Sequence, residues 1–172
     1  LERVLVWARQ GQAAAALAER LRGEGIDALA HVDLAAAVAD AQIVSCATTA
    51  TAPVVQGAWL APGTHLDLVG GFRPDMREAD DAAVDCARIV VDTRAGALTE
   101  AGDLVQPLAR GVIDEARIVG DLAELLRGEC AGRTADDQIT LFKSVGTALE
   151  DLAAAQFVLD PAAAVLRRGA PA

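Results

Sequence analysis

Residues 64–80, THLDLVGGFRPDMREAD, carry the strongest signal of the fold in this chain. Residues 66–69 are mostly apolar and predict a buried strand. That strand ends at Gly70 and Gly71, where the missing Cβ lets another group approach the main chain closely. Residues 77–80, which include the acidic Glu78 and Asp80, then predict the start of a helix. Ligands bind just past such a strand end in an open α/β sheet, although an ordinary strand-to-helix turn is the alternative, since short glycine motifs are weak signals.

The rest of the chain alternates between strands and helices. Strands are predicted at residues 3–8, 26–32, 43–47, 66–69 and 88–91, with helices at 10–22, 34–39 and 80–86. Residues 93–108 are predicted to be helical in pieces, broken at Gly102 and Pro107, and residues 116–127 to form a strand and then a helix. A short strand at 140–143 precedes a helix at 144–159 that Ser144 is expected to cap. The alternation predicts an α/β fold with a parallel sheet flanked by helices.

Composition restricts the classes of function. The chain has 172 residues, 53% of them hydrophobic and 23% charged, as expected for one globular domain. A net charge of −10 without a basic cluster, together with 3% aromatic residues, argues against nucleic acid as a partner. No signal peptide or apolar run of membrane-spanning length occurs, so we expect a cytoplasmic protein without a membrane partner. The 3 cysteines are far apart, which predicts free thiols and no metal site.

The start of the chain carries a further signal. A dinucleotide-binding fold begins with a strand and a G-x-G-x-x-G turn, and these residues contain no such motif. The first strand, ending near Arg9, looks instead like the second strand of such a fold, whose tip meets the adenosine ribose. An arginine there suits a 2′-phosphate, whereas an acidic residue suits a free hydroxyl. The alternative is that Arg9 only caps a surface turn.

Four segments carry a family resemblance: ADAQIVSCATTATAPVV (39–55), WLAPGTHLDLVGGFRPDMREAD (59–80), TEAGDL (99–104) and ITLFKSVGTALEDLAAA (139–155). In this order they resemble the ornithine cyclodeaminase/mu-crystallin family. The resemblance implies a Rossmann-type domain that binds NADP(H) or NAD(H), spanning residues 1–160 with C-terminal helices and followed by a flexible tail at 161–172. It also implies that the first strand, the glycine turn and an amino-terminal dimerisation domain are missing from this chain, and that the complete protein is a homodimer.

The resemblance also assigns roles to single residues. The residues expected to bind the cofactor are Arg9, Thr48, Val69, Gly70 and Ser144, the last at a helix amino terminus. Glu100 matches an acidic residue near the substrate pocket. Arg9 favours NADPH, with NADH possible.

One departure from the family pattern narrows the chemistry. Cyclodeaminases and alanine dehydrogenases of this family resemble one another in carrying an aspartate directly after the strand-end glycines, where this chain has Phe72. Phenylalanine cannot transfer protons, so the resemblance favours the ketimine reductases, which reduce small cyclic imino acids such as Δ1-pyrroline-2-carboxylate. An NAD-dependent cyclodeaminase or amino-acid dehydrogenase and a truncated, non-catalytic domain are the alternatives.

No catalytic residue is assigned. Lys143 is either a catalytic group or, in the interpretation we favour, a solvated surface residue. Asp75 and Glu78 form either a carboxylate pair or the acidic first turn of a helix. His65 is expected to be structural and Cys46 inert.

Overall fold

The computed structural model describes residues 1–159, so the tail expected at 161–172 lies outside the described residues. The strands are β1 Val4–Val6, β2 Ala28–Ala30, β3 Ile43–Cys46, β4 His65–Leu68, β5 Arg88–Val91, β6 Ile118–Asp121 and β7 Thr140–Lys143. The helices are α1 Gly11–Gly23, α2 Leu34–Asp40, α3 Asp81–Cys86, α4 Arg94–Glu100, α5 Gly102–Ala109, α6 Leu122–Leu126 and α7 Ala148–Leu159.

All strand pairs are parallel, as the alternation of strands and helices predicts. β1 pairs with β2 in a two-stranded sheet, and the other strands form a five-stranded sheet in the order β3-β4-β7-β5-β6. The last strand in sequence, β7, is inserted between β4 and β5. The end of β7 therefore lies in the middle of the sheet, surrounded by the ends of its neighbours.

Alternate side chains along the central strands of the large sheet are buried and form its core. Leu66 and Leu68 in β4, Ile89 and Val91 in β5, and Leu141 in β7 are at most 1% exposed. Helices α3, α4 and α5 contribute buried alanine, valine and leucine side chains to the same cluster. A second, smaller cluster joins β1 and β2 to α1 through Val6, Ala14, Ala18 and Ala28.

Side-chain caps fix where several helices begin. Asp33, Asp80, Thr93 and Asp121 each accept a hydrogen bond from the backbone N–H three residues later. These caps satisfy amide groups that have no partner within the helix. The first residue of each of these short helices is therefore set by the capping side chain just before it in the sequence.

Three sequence-based boundaries are wrong. Residues 77–80 are not helical, because their main chain bonds to residues 50–55 instead: the amide of Arg77 donates to Ala50, and the carbonyl of Glu78 accepts from Val54 and Val55. Pro107 does not interrupt α5, which continues to Ala109. The last helix begins at Ala148, four residues after the predicted cap.

The last helix differs from the others in its exposure. Leu149 and Leu152 of α7 are 74% and 54% exposed, so the apolar side chains of this helix are not part of either core cluster. Thr147, and not Ser144, accepts from the amide of Glu150 at its start. Within residues 1–159, no helix is both long and apolar enough to span a membrane.

The first residues of α1 and α5 provide a matched test of packing. A Cβ added at Gly102 would collide with the carbonyl oxygens of Met76 and Arg73, whereas one added at Gly11 meets no atom within 4 Å. We expect Gly102→Ala to lower the free energy of unfolding by about 1–3 kcal/mol through overpacking. Gly11→Ala should leave it unchanged or raise it by about 0.4–1 kcal/mol. Urea denaturation of both variants checks this, and equal effects would contradict the close contact between α5 and the 73–76 segment.

Candidate functional site

The candidate site is the carboxyl edge of the large sheet. Lys143 at the end of β7 is in register with Leu68 of β4 and Val91 of β5, and Leu68 is in register with Cys46 of β3. Because parallel strands end at the same edge, the segments that follow these four residues meet there. In open α/β sheets this edge is where ligands bind.

Lys143 forms the centre of this edge. Its side chain is 0% exposed. Its Nζ donates to the carbonyl oxygens of Leu68, at 3.2 Å, and of Gly70. Asp103 Oδ2 lies 3.5 Å from the same nitrogen. The interpretation of Lys143 as a solvated surface residue is therefore wrong, since every group around its ammonium belongs to the protein.

Asp103, near the start of α5, completes the ion pair. Its carboxylate is also 0% exposed. Its Oδ1 accepts from the amides of Glu78, at 2.8 Å, and Ala79, at 3.0 Å. Gly71, at φ +58°, lies so close that an added Cβ would be 2.5 Å from Asp103 Oδ2. The Asp103 carboxylate thus bonds to the far end of the loop that follows β4 and forms an ion pair with Lys143 at the end of β7. Its Oδ2 lies against Gly71 and accepts no hydrogen bond among the described residues.

Glu78 is a second buried carboxylate at this edge. Its Oε1 accepts from the amide of Thr48 at 2.5 Å, and a Cβ on Gly70 would collide with the Thr48 carbonyl and with Glu78. Its Oε2 has no hydrogen-bond partner among the described residues. Burial raises the pKa of Glu78, and the nearby Asp103 carboxylate adds to this, while the hydrogen bonds from Thr48 and the Lys143 ammonium oppose it.

Asp92, at the end of β5, fixes the segment after β7. Its Oδ2 accepts from the hydroxyl of Ser144 at 3.0 Å and from the amides of Val145 and Gly146 at 2.7 and 2.8 Å. The Ser144 hydroxyl also accepts from the amide of Gly146. Ser144 therefore lies in a loop bound to Asp92, four residues before α7 and not at a helix amino terminus.

The structure brings some of the predicted site residues together. The Thr48 carbonyl lies against Gly70, and the amides of Val69 and Ser144 bond to Cys46 and Leu68 at the strand ends. Arg9 follows β1 in the small sheet and is exposed. Glu100 is exposed at the end of α4. The acidic residue of this segment that bonds to the edge is Asp103.

Two buried residues of this edge were missed by sequence analysis: Asp92 and Asp103. A signal for Lys143 was present, because Lys143 lies two positions after Leu141 in a strand and therefore shares its buried face. No comparable local signal marks Asp103, whose partners are about 25 and 40 residues away.

Other sequence-based interpretations have mixed outcomes. Burial raises the pKa of the Cys46 thiol to about 12, with the carboxylates of Glu78 and Asp103 adding to the shift, which agrees with an inert cysteine. His65 bonds through Nδ1 to the Thr140 hydroxyl, and burial lowers its pKa, as expected of a structural histidine. Asp75 and Glu78 do not lie in a first helical turn, since α3 begins only at Asp81. Asp75 is exposed and forms an ion pair with Arg73.

The outer surface of this edge fits a flat, partly apolar ligand such as a nicotinamide ring. Val69 and Phe72 are 46% and 45% exposed on either side of the buried Gly70 and Gly71. The Thr48 hydroxyl accepts from the amide of Ala50, and its side chain is also hydrogen-bonded to the Glu78 carboxylate. The residues present therefore offer such a group an apolar strip formed by Val69 and Phe72.

Comparison with known proteins identifies relatives along nearly the whole chain. The sequence profile of the ornithine cyclodeaminase/mu-crystallin family matches residues 1–165. A Δ1-pyrroline-2-carboxylate reductase of Paracoccus denitrificans is 48% identical over 158 residues, which is 92% of this chain and 50% of that protein. The chain thus spans about half the length of the curated relatives it matches.

Solved structures give the same picture. The Δ1-pyrroline-2-carboxylate reductase of Thermococcus litoralis, in complex with NADH and L-proline, superposes with a TM-score of 0.88 at 40% identity, covering 90% of this chain and 48% of that one. An archaeal alanine dehydrogenase dimer with bound NAD has a TM-score of 0.86 at 28% identity, covering 92% and 48%. The predicted Rossmann-like α/β fold is confirmed by these neighbours.

The raised pKa of Glu78 predicts how stability depends on pH. Because its folded pKa lies above the ordinary value of 4.5, the folded state retains a proton that the unfolded state releases, so the free energy of unfolding falls as pH rises from 4.5 through the folded pKa. Glu78→Gln keeps an acceptor for Thr48 but does not titrate.

We therefore expect the urea midpoint of Glu78→Gln to fall less steeply than that of the wild type as pH rises through this window. Glu19→Gln, at an exposed position of α1, is the control and should follow the wild-type curve. Parallel curves for the wild type and Glu78→Gln would contradict the raised pKa.

Proposed function

The chain belongs to the ornithine cyclodeaminase/mu-crystallin family, and on that premise we propose that it forms the cofactor-binding part of a ketimine reductase. The reaction proposed for the complete protein is reduction of a cyclic ketimine, such as Δ1-pyrroline-2-carboxylate, to the corresponding amino acid, here L-proline. The reductant is NADPH, with NADH as the alternative. The identity to the Paracoccus denitrificans reductase supports this substrate class.

The single observation that carries the proposal is the residue after the strand-end glycines. Phe72 occupies this position and is 45% exposed, so the edge presents a ring there and no proton donor or acceptor. The buried carboxylates nearby accept hydrogen bonds from the main chain: Asp103 from Glu78 and Ala79, and Asp92 from Val145 and Gly146. The edge therefore suits a reaction that demands little acid–base catalysis from this part of the protein.

Reduction of a cyclic ketimine is such a reaction. A nicotinamide cofactor, when bound, supplies the hydride for the imine carbon. A protonated imine already carries the proton that its nitrogen retains in the product. The residues of this chain then have to orient the two partners, and we assign contact with the cofactor to Thr48, Val69, Gly70 and Ser144. Glu100, exposed at the end of α4, is proposed to face the substrate side.

The alternatives have less support. Amine chemistry by the route that uses an aspartate after the glycines is not available to Phe72, and the archaeal alanine dehydrogenase is only 28% identical. That neighbour is described as a dimer, and we propose a homodimer for the complete protein. The described cysteines are all free, which supports the cytoplasmic location proposed here.

Cofactor preference tests the role of Arg9. Fluorescence titration of this chain should show tighter binding of NADPH than of NADH, because the exposed guanidinium can pair with the 2′-phosphate. Arg9→Asp should weaken NADPH binding by about tenfold or more and reverse the preference. Arg20→Asp, which makes the same charge change on exposed α1, should leave the preference intact. Equal affinities before and after Arg9→Asp would remove Arg9 from the site.

The reaction itself is tested in a chimera in which this chain replaces the matching half of the Paracoccus denitrificans reductase. We expect the chimera to consume NADPH with Δ1-pyrroline-2-carboxylate, and to release no ammonia from L-ornithine or L-alanine. Ammonia release would favour the cyclodeaminase or dehydrogenase alternative. A folded chimera that turns over none of these substrates would favour a non-catalytic domain.

A further inference from the structure

We propose that Lys143 is a positioning residue which, with Asp103, fixes the main chain of Leu68–Gly71 and so shapes the surface on which the nicotinamide cofactor binds. The role of this surface in cofactor binding rests on the function proposed above. The position of the main chain rests only on the contacts of the buried ammonium.

The ammonium of Lys143 fixes the carbonyl groups of two residues, Leu68 and Gly70, that are separated by one position. Nζ of Lys143 donates to the carbonyls of Leu68 and Gly70, so both oxygens point toward the interior. The Leu68 carbonyl also accepts from the amide of Ser144, at 3.1 Å. In an extended chain, side chains alternate between the two faces, so Val69 points away from the core that buries Leu68 and is 46% exposed. The two bonded carbonyls fix the main chain on either side of Val69.

The same ion pair holds the rest of the loop. Asp103 Oδ1 accepts from the amides of Glu78 and Ala79, while its Oδ2 faces Lys143 and the Cα of Gly71. The carbonyl of Gly71 in turn accepts from the amide of Gly102, at 3.2 Å. Gly70, just before the 71–79 loop, is thus bound to Lys143, and the last two residues of the loop are bound to Asp103. The loop carries Phe72 and Arg73 at its exposed side.

The buried Lys143–Asp103 pair is better explained by its effect on the position of the main chain than by a contribution to the free energy of unfolding. Removing an ammonium and a carboxylate from water is costly, and an apolar pair of equal volume often stabilises a fold as well or better. An apolar side chain at 143 would leave the carbonyls of Leu68 and Gly70 without this donor. What the charged pair adds is one defined conformation of the strand end.

The test is the double variant Lys143→Met/Asp103→Asn. Methionine is unbranched like lysine and lacks its ammonium, and asparagine keeps an oxygen for the amides of Glu78 and Ala79, so that no unpaired charge remains. Arg127→Met/Glu129→Gln is the control, because it removes an exposed ion pair with the same change in net charge. A rescue variant, Lys143→Gln/Asp103→Asn, restores a neutral donor at position 143.

Hydrogen exchange by mass spectrometry and thermal unfolding are measured on each protein without cofactor. Binding of NADPH and of NADH is then measured by fluorescence titration. For Lys143→Met/Asp103→Asn we expect exchange about tenfold faster in residues 69–79 alone, an unfolding midpoint within about 4 °C of the wild type, and cofactor affinity weakened about tenfold. The Gln variant should recover part of the affinity, and the control should match the wild type.

The outcomes separate the inference from the proposed function. If the wild-type chain binds neither cofactor, the proposed function fails for this chain, while local exchange at 69–79 still decides whether Lys143 positions the strand end. Unchanged exchange and affinity in the Met variant would overturn the inference. Uniformly faster exchange in all elements, or failure of both double variants to fold, would also overturn it. In either case the Lys143–Asp103 pair would stabilise the whole fold and not one strand end.

Discussion

The fold at the carboxyl edge depends on a single buried ammonium. Lys143 is placed in the middle of the sheet because β7, the last strand in sequence, is inserted between β4 and β5. At that position no water can solvate its charge, so the protein must supply the partners. Two carbonyls from the end of β4 and the carboxylate of Asp103 on α5 do so. Segments about 75 and 40 residues away in sequence are thereby bound to one atom.

Three buried carboxylates also hold the main chain at this edge, each through different amide groups. Asp103 balances the charge of Lys143 and binds two loop amides, whereas Asp92 binds the amides after β7. Glu78 binds the amide of Thr48 after β3. Each acidic side chain is thus used to hold main chain that leaves a strand end. These contacts fix the main chain around the site, and fixed positions for the two reactants are what the proposed hydride transfer requires.

Most of the fold could be predicted from sequence, because its signals are local. Apolar runs such as residues 88–91 and capping residues such as Asp80 depend on neighbours within a few positions, and the strands and helices they predict are present. The failures are at residues whose conformation is set by distant partners. Glu78 follows the local pattern of a helix start, yet its backbone bonds to residues 54 and 55 and to Asp103. Lys143 was assigned to the surface because it was taken to lie at a helix start, whereas it is the last residue of β7 and is buried.

The glycine pair marks the end of β4 in the sequence, but the reason inferred for the glycines was incomplete. Gly70 and Gly71 were interpreted as making room for a ligand, but an added Cβ at either would meet Thr48, Glu78 or Asp103. Their missing side chains make room for the buried carboxylates of the protein itself. The surface left for a ligand is then the opposite side of the same main chain, where Val69 and Phe72 are exposed. Sequence marks the strand end as unusual, and the atoms behind it determine which side remains open for binding.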